Sequence, residues 1–382
     1  MVKYQFGDIV REVKEKVDRN NNPYEYYIAG DHMDTDELHL LRRGVFEGSD
    51  VGPAFIRIFK PGQVLYGSRR TYLRKVAVAD FEGITANTTF VLETKDESVL
   101  LQRLLPFIMQ SDRFVQHSIK RSKGSTNPYV LFSDLADYEV DLPDIDKQKE
   151  LADLLWAMDD VKMSYKKLIS ATDELVKSQF MERFGLPDNN VKGYRLGIIG
   201  DVISDVHYGT SAKASGDGKY IYIRMNNITY DGTLDLADVK RINVSDSDLE
   251  NYVVRYGDVL FNRTNSRDLV GKTCVFDRKE PMIIAGYIIR LRMNGLVLPE
   301  YLSLFMNTRY AKKLLLSMAK GAVGQANINA KELQEIQIII PPIEEQVQFQ
   351  AFVRQSDKSK YLIANALSST SNQNQYIGGK YE

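Results

Sequence analysis

The sequence contains two copies of one pattern, separated by about 195 residues. A shift of 195 residues places Gly62-Gln-Val-Leu-Tyr66 on Gly257-Asp-Val-Leu-Phe261, and a shift of 198 residues places Pro143 on Pro341. The same larger shift places Gln148 on Gln346. Because the matches keep their order along the chain, the repeated unit is a whole domain rather than a short motif. The 382 residues suffice for two such domains, each with its own core.

Each copy shows strand and helix signals in the same order. Runs of β-branched and aromatic residues predict strands, at 88–92, 220–228 and 337–340. Stretches with helical periodicity predict one helix inside each copy, at 102–119 and 299–318. In both copies a strand then ends at a proline, and acidic residues, which favour a helix N-terminus, follow it. The sequence therefore predicts two duplicated globular α+β domains, at 1–143 and 187–341.

A long helix is predicted after each domain, at 144–186 and 342–368. The first helix has apolar residues at a 3–4 spacing and ends at Gly185-Leu-Pro187. We expect the two helices to pair as an antiparallel coiled coil, although each could instead lie on its own domain. The residues predicted to make the contact are Leu151, Leu154, Met158, Val161, Tyr165, Leu168, Leu175, Phe349, Phe352 and Ile363. The polar tail, 369–382, is predicted to be disordered.

Charge is balanced overall but unevenly distributed. The formal net charge is −1, which argues against a uniformly basic nucleic-acid binder. Basic residues occur without acidic ones in 60–79, 113–133 and 309–331, whereas 144–160 is mainly acidic. Local basic patches of this kind indicate contact with an anionic partner at specific places on the surface.

The composition also limits the compartment and the chemistry. The single cysteine, Cys274, excludes an internal disulfide and a cysteine-based metal cluster. The N-terminus has no apolar signal-peptide region, and no apolar run approaches the ~18 residues of a membrane span. We therefore expect a cytoplasmic protein.

Signals for catalysis are weak. The four histidines lack ligand spacing to one another, and no glycine-rich phosphate loop occurs. Asp188 with Asp217-Gly-Lys219 fits the bare pattern of a metal-dependent nuclease, but that chemistry needs carboxylates on adjacent strands, whereas these lie in a linker and a turn. The chain is predicted to bind rather than to catalyse, with no metal or cofactor of its own.

Nucleic-acid contact is the binding function that the residues favour. Phosphates are bound by Lys, Arg, Ser and Thr, and base edges are read by Arg, Asn, Gln and Ser. Each copy offers two acid-poor loops with these side chains, at 67–72 and 120–127 in the first and at 262–267 and 320–329 in the second. The candidates are Ser68, Arg69, Arg70, Tyr72, Arg74, Lys75, Lys120, Arg121, Lys123, Asn262, Arg263, Thr264, Asn265, Arg267, Lys320, Gln325 and Asn327.

Four stretches together resemble the specificity subunits of Type I restriction-modification systems. They are DVHYGTSAKASGDGKYIYIRMNNIT (205–229), YGDVLFNRTNSRDLVGKTCVFD (256–277), GAVGQANINAKELQEIQIIIPPIEEQ (321–346) and ELVKSQFMERFG (174–185). The resemblance covers residues 4–367. It adds Tyr208, Thr210, Ser211, Lys213 and Lys272 to the DNA-binding candidates. The first copy lacks the Asn-Arg-Thr-Asn and Tyr-Gly-Thr-Ser motifs, so the resemblance defines its individual DNA contacts less closely.

The resemblance implies a partner set. Double-stranded DNA would be bound as a bipartite, asymmetric site, with one half read by each domain. The long helices would dock two copies of an adenine methyltransferase subunit that uses S-adenosylmethionine. A translocating restriction subunit using ATP and Mg²⁺ would attach to that complex. The alternatives are a recognition subunit whose single partner both cleaves and methylates, and the metal-dependent nuclease.

Overall fold

The computed structural model describes residues 1–18, 21–47, 51–266, 269–319 and 326–380, with side chains up to Leu367. The chain divides into two compact units. The first comprises Met1–Lys167 with Ile363–Glu382, and the second comprises Leu168–Leu362. Each unit therefore holds one globular copy together with parts of both long helices.

The first copy alternates short strands with a few helices before the long helix. Its elements are β1 (Val2–Gln5), α1 (Phe6–Ile9), β2 (Val10–Val13), β3 (Tyr26–Ile28), β4 (Gly44–Val45), β5 (Phe55–Phe59), β6 (Val64–Gly67), β7 (Val76–Val78), β8 (Gly83–Ala86), β9 (Thr89–Thr94), α2 (Leu105–Gln110), α3 (Asp112–Arg121), α4 (Phe132–Ala136), β10 (Glu139–Leu142) and α5 (Ile145–Phe184). The apolar core includes Phe6, Val64, Phe114 and Leu155.

The second copy follows the same plan. Its elements are β11 (Arg195–Ile198), β12 (Ile203–Tyr208), β13 (Tyr220–Ile223), β14 (Lys240–Ile242), α6 (Leu249–Tyr252), β15 (Val253–Val254), β16 (Val259–Asn262), β17 (Thr264–Asn265), β18 (Thr273–Val275), β19 (Met282–Ile284), β20 (Ile288–Met293), α7 (Pro299–Met306), α8 (Arg309–Met318), β21 (Ala326–Asn327), α9 (Ala330–Gln334), β22 (Gln337–Ile340) and α10 (Ile343–Lys380). Its core includes Phe180, Phe261, Phe305 and Phe349.

The predicted duplication is present in the strand order. The first copy has sheets of order β2-β9-β6-β7 and β4-β3-β8-β5, and the second has β12-β20-β16-β18 and β14-β13-β19-β15. In each copy the second sheet contains one parallel pair, β3 with β8 and β13 with β19. A two-stranded ribbon joins the two ends of each copy, β1 with β10 and β11 with β22. The α+β prediction is confirmed.

The helix predicted inside each copy is two helices. Ser111 separates α2 from α3, and Thr308 separates α7 from α8. The Ser111 hydroxyl accepts a hydrogen bond from the Phe114 amide, and the Thr308 hydroxyl accepts one from the Ala311 amide, at 3.3 and 3.2 Å. Serine and threonine in this role begin a new helix. The prediction of single helices over 102–119 and 299–318 was wrong. The helical periodicity of the sequence continues through Ser111 and Thr308, so it did not indicate the break at either cap.

Loss of the second of these caps is expected to destabilise the protein. Thr308→Ala removes the bond to Ala311 and should lower the free energy of unfolding by about 1 kcal/mol, the typical cost of losing an N-cap. Urea denaturation measures the change. Thr308→Ser keeps the hydroxyl and is the control. Equal loss in both variants would show that the methyl group, rather than the cap, stabilises α8.

A buried glutamine holds the beginning of each long helix in place. Gln148 and Gln346 are 1% and 2% exposed. Each side chain donates two hydrogen bonds to backbone carbonyls and accepts one from a backbone amide. The partners are Val99, Pro143 and Leu101 for Gln148, and Leu296, Pro341 and Leu298 for Gln346. The sequence matches at Pro143/Pro341 and Gln148/Gln346 therefore mark one repeated structural device.

The two long helices run antiparallel within the second unit. Near the end of α5, the Phe184 ring lies 5.4 Å from the ring of Phe349, near the beginning of α10. Earlier in α5, the Asp173 carboxylate lies 2.7 Å from the ammonium of Lys360, which is later in α10. Phe352 packs on the same core. The pairing predicted from the sequence is confirmed here.

The residues that α5 buries lie next to the predicted contact positions rather than at them. The side chains that α5 buries belong to another stripe, and they include Ala152, Leu155, Val176, Phe180 and Phe184. Of the predicted positions, four remain about half exposed, namely Leu154, Val161, Leu168 and Leu175. Leu151, Met158, Tyr165 and Ile363 are half-buried. Ala152 and Leu155 pack in the core of the first copy, and Val176, Phe180 and Phe184 pack in the core of the second, so the globular cores determine which face of α5 is buried.

The C-terminal helix is longer than predicted. It continues to Lys380, whereas the sequence predicted that it ends at residue 368 and that 369–382 is disordered. Ser, Asn and Gln are only moderately unfavourable in a helix, so the polar composition did not define its end. Within the described residues, no helix is both long and apolar enough to cross a membrane.

Candidate nucleic-acid interface

In the first copy the structure brings together the two basic loops that the sequence singled out. The loop after β6 and the loop after α3 are joined by two backbone hydrogen bonds. The Arg70 amide donates to the Pro128 carbonyl at 2.7 Å, and the Val130 amide donates to the Ser68 carbonyl at 3.0 Å. A single β-bridge also pairs Arg69 with Tyr129. The two loops form one surface.

The second copy has the equivalent arrangement. The Ile328 amide donates to the Arg263 carbonyl at 2.9 Å, which repeats the bond from Val130 to Ser68. Here the two loops also form the two-stranded ribbon of β17 and β21. Across this ribbon the Thr264 hydroxyl donates to the Asn327 side-chain oxygen at 2.8 Å. Arg267, Lys320 and Gln325, also predicted to bind DNA, lie outside the described residues.

The candidate DNA-binding residues differ in how accessible they are. Those exposed to solvent are Arg69, Arg70, Tyr72, Lys120, Arg121, Lys123, Tyr208, Ser211 and Lys213. Those that are half-buried are Arg74, Lys75, Arg263, Asn265 and Asn327. Those that are buried are Ser68, Thr210, Asn262, Thr264 and Lys272. Only the first two groups present side-chain surface to a ligand in this conformation.

Several candidates are already bonded within the protein. The Ser68 hydroxyl donates to the Thr88 carbonyl at 2.6 Å, and the Asn262 amide group donates to the Thr264 carbonyl at 3.3 Å. The Lys272 ammonium donates to the Met225 carbonyl at 2.7 Å, and burial lowers its pKa. These side chains stabilise the loops through internal hydrogen bonds. Composition alone does not distinguish this role from contact with a ligand.

Arg74 is also held by internal partners. Its guanidinium bonds the carboxylates of Asp36 and Asp112 at 2.5 and 2.7 Å. Its backbone has a positive φ of 50°, an uncommon conformation for a residue with a side chain. Its charge is therefore neutralised by acids from other parts of the chain, which the acid-free segment 60–79 did not reveal.

Arg263 and Tyr208 meet at the proposed interface of the second copy. The central guanidinium carbon lies 4.8 Å from the centre of the Tyr208 ring, within cation–π distance. The Tyr208 hydroxyl accepts a hydrogen bond from the Ala330 amide at 2.8 Å. Among the described residues, the buried Nε of Arg263 has no hydrogen-bond partner. The tyrosine, itself fixed to α9, thus orients a planar group with several donors.

The first copy contains an ionic cluster that could not be predicted from the sequence. Glu37, His39 and Asp159 form the one group of three potential metal ligands within the described residues. Lysines occupy the same place: Lys166 lies 2.5 Å from Glu37, and Lys162 lies 3.5 Å from Asp159. The hydrogen bond that the His39 ring donates to the Asp159 carboxylate raises the pKa of His39. These lysines neutralise the acids, and the ion pairs join the loop that carries Glu37 and His39 to α5.

The fold and the two repeated surfaces define a two-domain recognition protein with long connecting helices. The chain belongs to the family of Type I restriction modification DNA specificity domains, whose sequence profile matches residues 6–171 and 190–369. It is 27% identical over 188 residues to the Type I restriction enzyme EcoKI specificity subunit of Escherichia coli. It is 28% identical over 152 residues to the putative Type I restriction enzyme MjaX specificity subunit of Methanocaldococcus jannaschii.

The matched regions cover 47% and 39% of this chain but only 40% and 36% of those relatives.

Solved structures show the same fold. A chain from a study of complex assembly in the Type I restriction-modification system has a TM-score of 0.54 at 18% identity, covering 100% of this chain and 97% of that one. The specificity subunit from M. genitalium has a TM-score of 0.50 at 13% identity, covering 100% and 95%. The predicted family is confirmed.

Proposed function

We propose that this chain is the DNA-recognition subunit of a Type I restriction-modification complex, in which each globular copy reads one half of a bipartite site. One observation carries the proposal. The same backbone hydrogen bond, from Val130 to Ser68 and from Ile328 to Arg263, joins two polar loops into a surface in each copy. The recognition domains are 1–143 and 187–341, and neither acts as a catalyst.

The two surfaces carry different side chains on the same scaffold. The first presents Arg69, Arg70 and Tyr72, all exposed, whereas the second presents Arg263, Asn265 and Asn327. Arginine pairs with guanine edges and asparagine with adenine edges in the major groove. Different loops on equivalent scaffolds are suited to two different half-sites, so the proposed target is asymmetric.

Selection from a randomised duplex library tests the proposal. The purified chain, in complex with its adenine methyltransferase subunit, should enrich two short motifs separated by a gap of fixed length and free sequence. A single uninterrupted motif, or no enrichment, would contradict the proposal. Cleavage of DNA by the purified chain alone with Mg²⁺ would support the nuclease alternative instead.

The long helices are the proposed docking sites for two methyltransferase subunits. Leu154 and Val161 in the first unit are 47% and 44% exposed, and Leu168 and Leu175 in the second are each 50% exposed. Exposed apolar side chains at intervals of seven residues form a stripe on one helix face, and such stripes are typical of protein interfaces. S-adenosylmethionine would then be bound by those subunits, and ATP and Mg²⁺ by a restriction subunit.

Leu154→Ser is expected to weaken association with the methyltransferase subunit about fivefold, since it removes part of that apolar surface. Sedimentation or calorimetry measures the affinity. Leu41→Ser, at a leucine that is 54% exposed outside the helix, is the matched control and should have no effect. Equal weakening by both variants would argue against docking on the helix.

A further inference from the structure

A cavity of about 430 Å³ in the second unit lies beside the loop that follows β16. It is lined by residues of α5 and α8, by Asn307, by Tyr230 and by Val270. The sequence marked this part of α8 as basic, but Arg309, Lys312 and Lys313 were not among the predicted DNA-binding residues. All three line the cavity.

The cavity has an excess of positive charge. Among the described residues, four cationic side chains line it, Lys177, Arg309, Lys312 and Lys313, against a single carboxylate, Glu174. That carboxylate is shared, because it lies 3.1 Å from Lys177 and 3.4 Å from Arg309. One acid cannot neutralise four cations, so the cavity retains positive charge.

Lys312 is the cation of this cavity whose charged form the surroundings disfavour. Its ammonium donates to the Gly271 carbonyl at 2.9 Å and lies 5.3 Å from the centre of the Tyr230 ring. Within the described residues it has no salt bridge to a carboxylate. Burial, together with repulsion from Lys177 and Lys272, lowers its pKa to about 8, and Asp231 opposes this only partly.

We propose that this cavity binds an oxyanion of the phosphate or sulfate type, held by Lys312 with Lys177, Arg309 and Lys313. A dianion would supply the negative charge that the cavity lacks, and lysine and arginine form short, strong hydrogen bonds to such oxygens. Lys312 is the central contact because it is the least solvated of the four, and its partial protonation makes anion binding depend on pH.

The site has a direct structural connection to the proposed DNA-reading loop. Gly271, whose carbonyl accepts the bond from Lys312, donates its own amide to the Asn262 carbonyl at 2.9 Å. The Asn262 amide in turn donates to the Lys272 carbonyl at 2.8 Å. An anion held at Lys312 would therefore stabilise the two ends of the loop that carries Arg263. The oxyanion can be a backbone phosphate of DNA or a free anion, and only this link to the loop rests on the proposed function.

Titration of the full chain with sulfate, in the absence of DNA, tests the site. Sulfate stays a dianion across the useful pH range, so any pH dependence reports the protein. Because binding requires protonated Lys312, affinity should fall about tenfold between pH 7 and pH 9, as the pH rises through the pKa of the empty site. Calorimetry at pH 8 in buffers of different ionisation enthalpy should show uptake of about half a proton per anion bound.

Lys312→Met keeps the aliphatic stem and removes the charge. It should weaken sulfate binding about tenfold at pH 7 and abolish the pH dependence. Lys279→Met, at an exposed lysine outside the cavity, should bind like the parent chain. The proposal is overturned if the parent chain shows no saturable binding, if its affinity is independent of pH, or if a folded Lys312→Met chain binds normally.

A second arm identifies the source of the oxyanion. When the duplex carrying the selected target is bound, a DNA phosphate in the cavity would exclude sulfate, whereas a free anion would still bind to the complex. In both cases an anion occupies the cavity, so both results support the proposal and differ only in the source of the anion. Because the sulfate titration contains no DNA, its failure would overturn the anion site alone, and failure of the library selection would overturn the proposed function alone.

Discussion

A chain with one extra heptad in each long helix is expected to recognise the same two half-sites about three base pairs further apart. Seven residues lengthen a helix by about 10.5 Å, and one base pair spans about 3.4 Å. The insertions belong between Lys167 and Leu168 and between Leu362 and Ile363, where the chain passes from one unit to the other. There they leave the hydrogen bonds within each globular copy unchanged.

Affinity for the original target should fall about a hundredfold or more, because only one half-site can then be engaged correctly. Binding to the lengthened target should not recover completely. A heptad turns a helix by only about 20°, whereas three base pairs turn the duplex by roughly 100°, so part of the binding energy goes into twisting DNA.

Sequencing of methylated adenines in a host that carries the modified chain and its methyltransferase measures the result. The expected pattern has two unchanged half-sites and a longer unread gap. A heptad inserted in α5 alone is the control, and it should lower methylation without defining a new gap, since α5 and α10 pair antiparallel. A changed half-site would show that the helices do more than set the separation.

Much of the architecture could be predicted because duplication leaves the same polar and apolar pattern twice. Gln148 and Gln346 matched in sequence because each satisfies three backbone groups that would otherwise be buried without partners. The packed face of α5 could not be predicted in the same way. Leu154 and Leu155 are equally apolar, and only packing in the core of the first copy decides that Leu155 is the one that is buried.

The candidate loops could be proposed from composition, but the surroundings of their side chains could not. Composition located the four loops, and the structure joins those it describes in pairs. Composition could not show that Lys272 bonds a carbonyl, that Asp36 neutralises Arg74, or that Asn262 is fully buried. Each of these facts depends on partners remote in sequence, so an acid-free segment does not by itself define an open basic surface.

Arg263→Ala is expected to weaken binding of the half-site read by the second copy about tenfold, while the other half-site keeps its preference. A well-placed arginine contributes about 1–3 kcal/mol of discrimination between bases. Arg263 fits that role because Tyr208 supports its guanidinium at 4.8 Å, and because it lies where β16 delivers the loop to the surface. The expected loss of binding therefore reflects the loss of an oriented guanidinium as well as the loss of a positive charge.

Arg263→Lys separates those two contributions. Lysine keeps the positive charge but lacks the planar fork, so the salt dependence of binding should be preserved while discrimination between bases is lost. Arg69→Ala is the comparison variant in the first copy, at an exposed arginine of the equivalent loop, and it should relax the opposite half-site. Competition binding against a panel of single-base variants, at two salt concentrations, measures all three chains. Unchanged affinity and unchanged base preference after Arg263→Ala would show that this arginine supports the loop and does not read DNA.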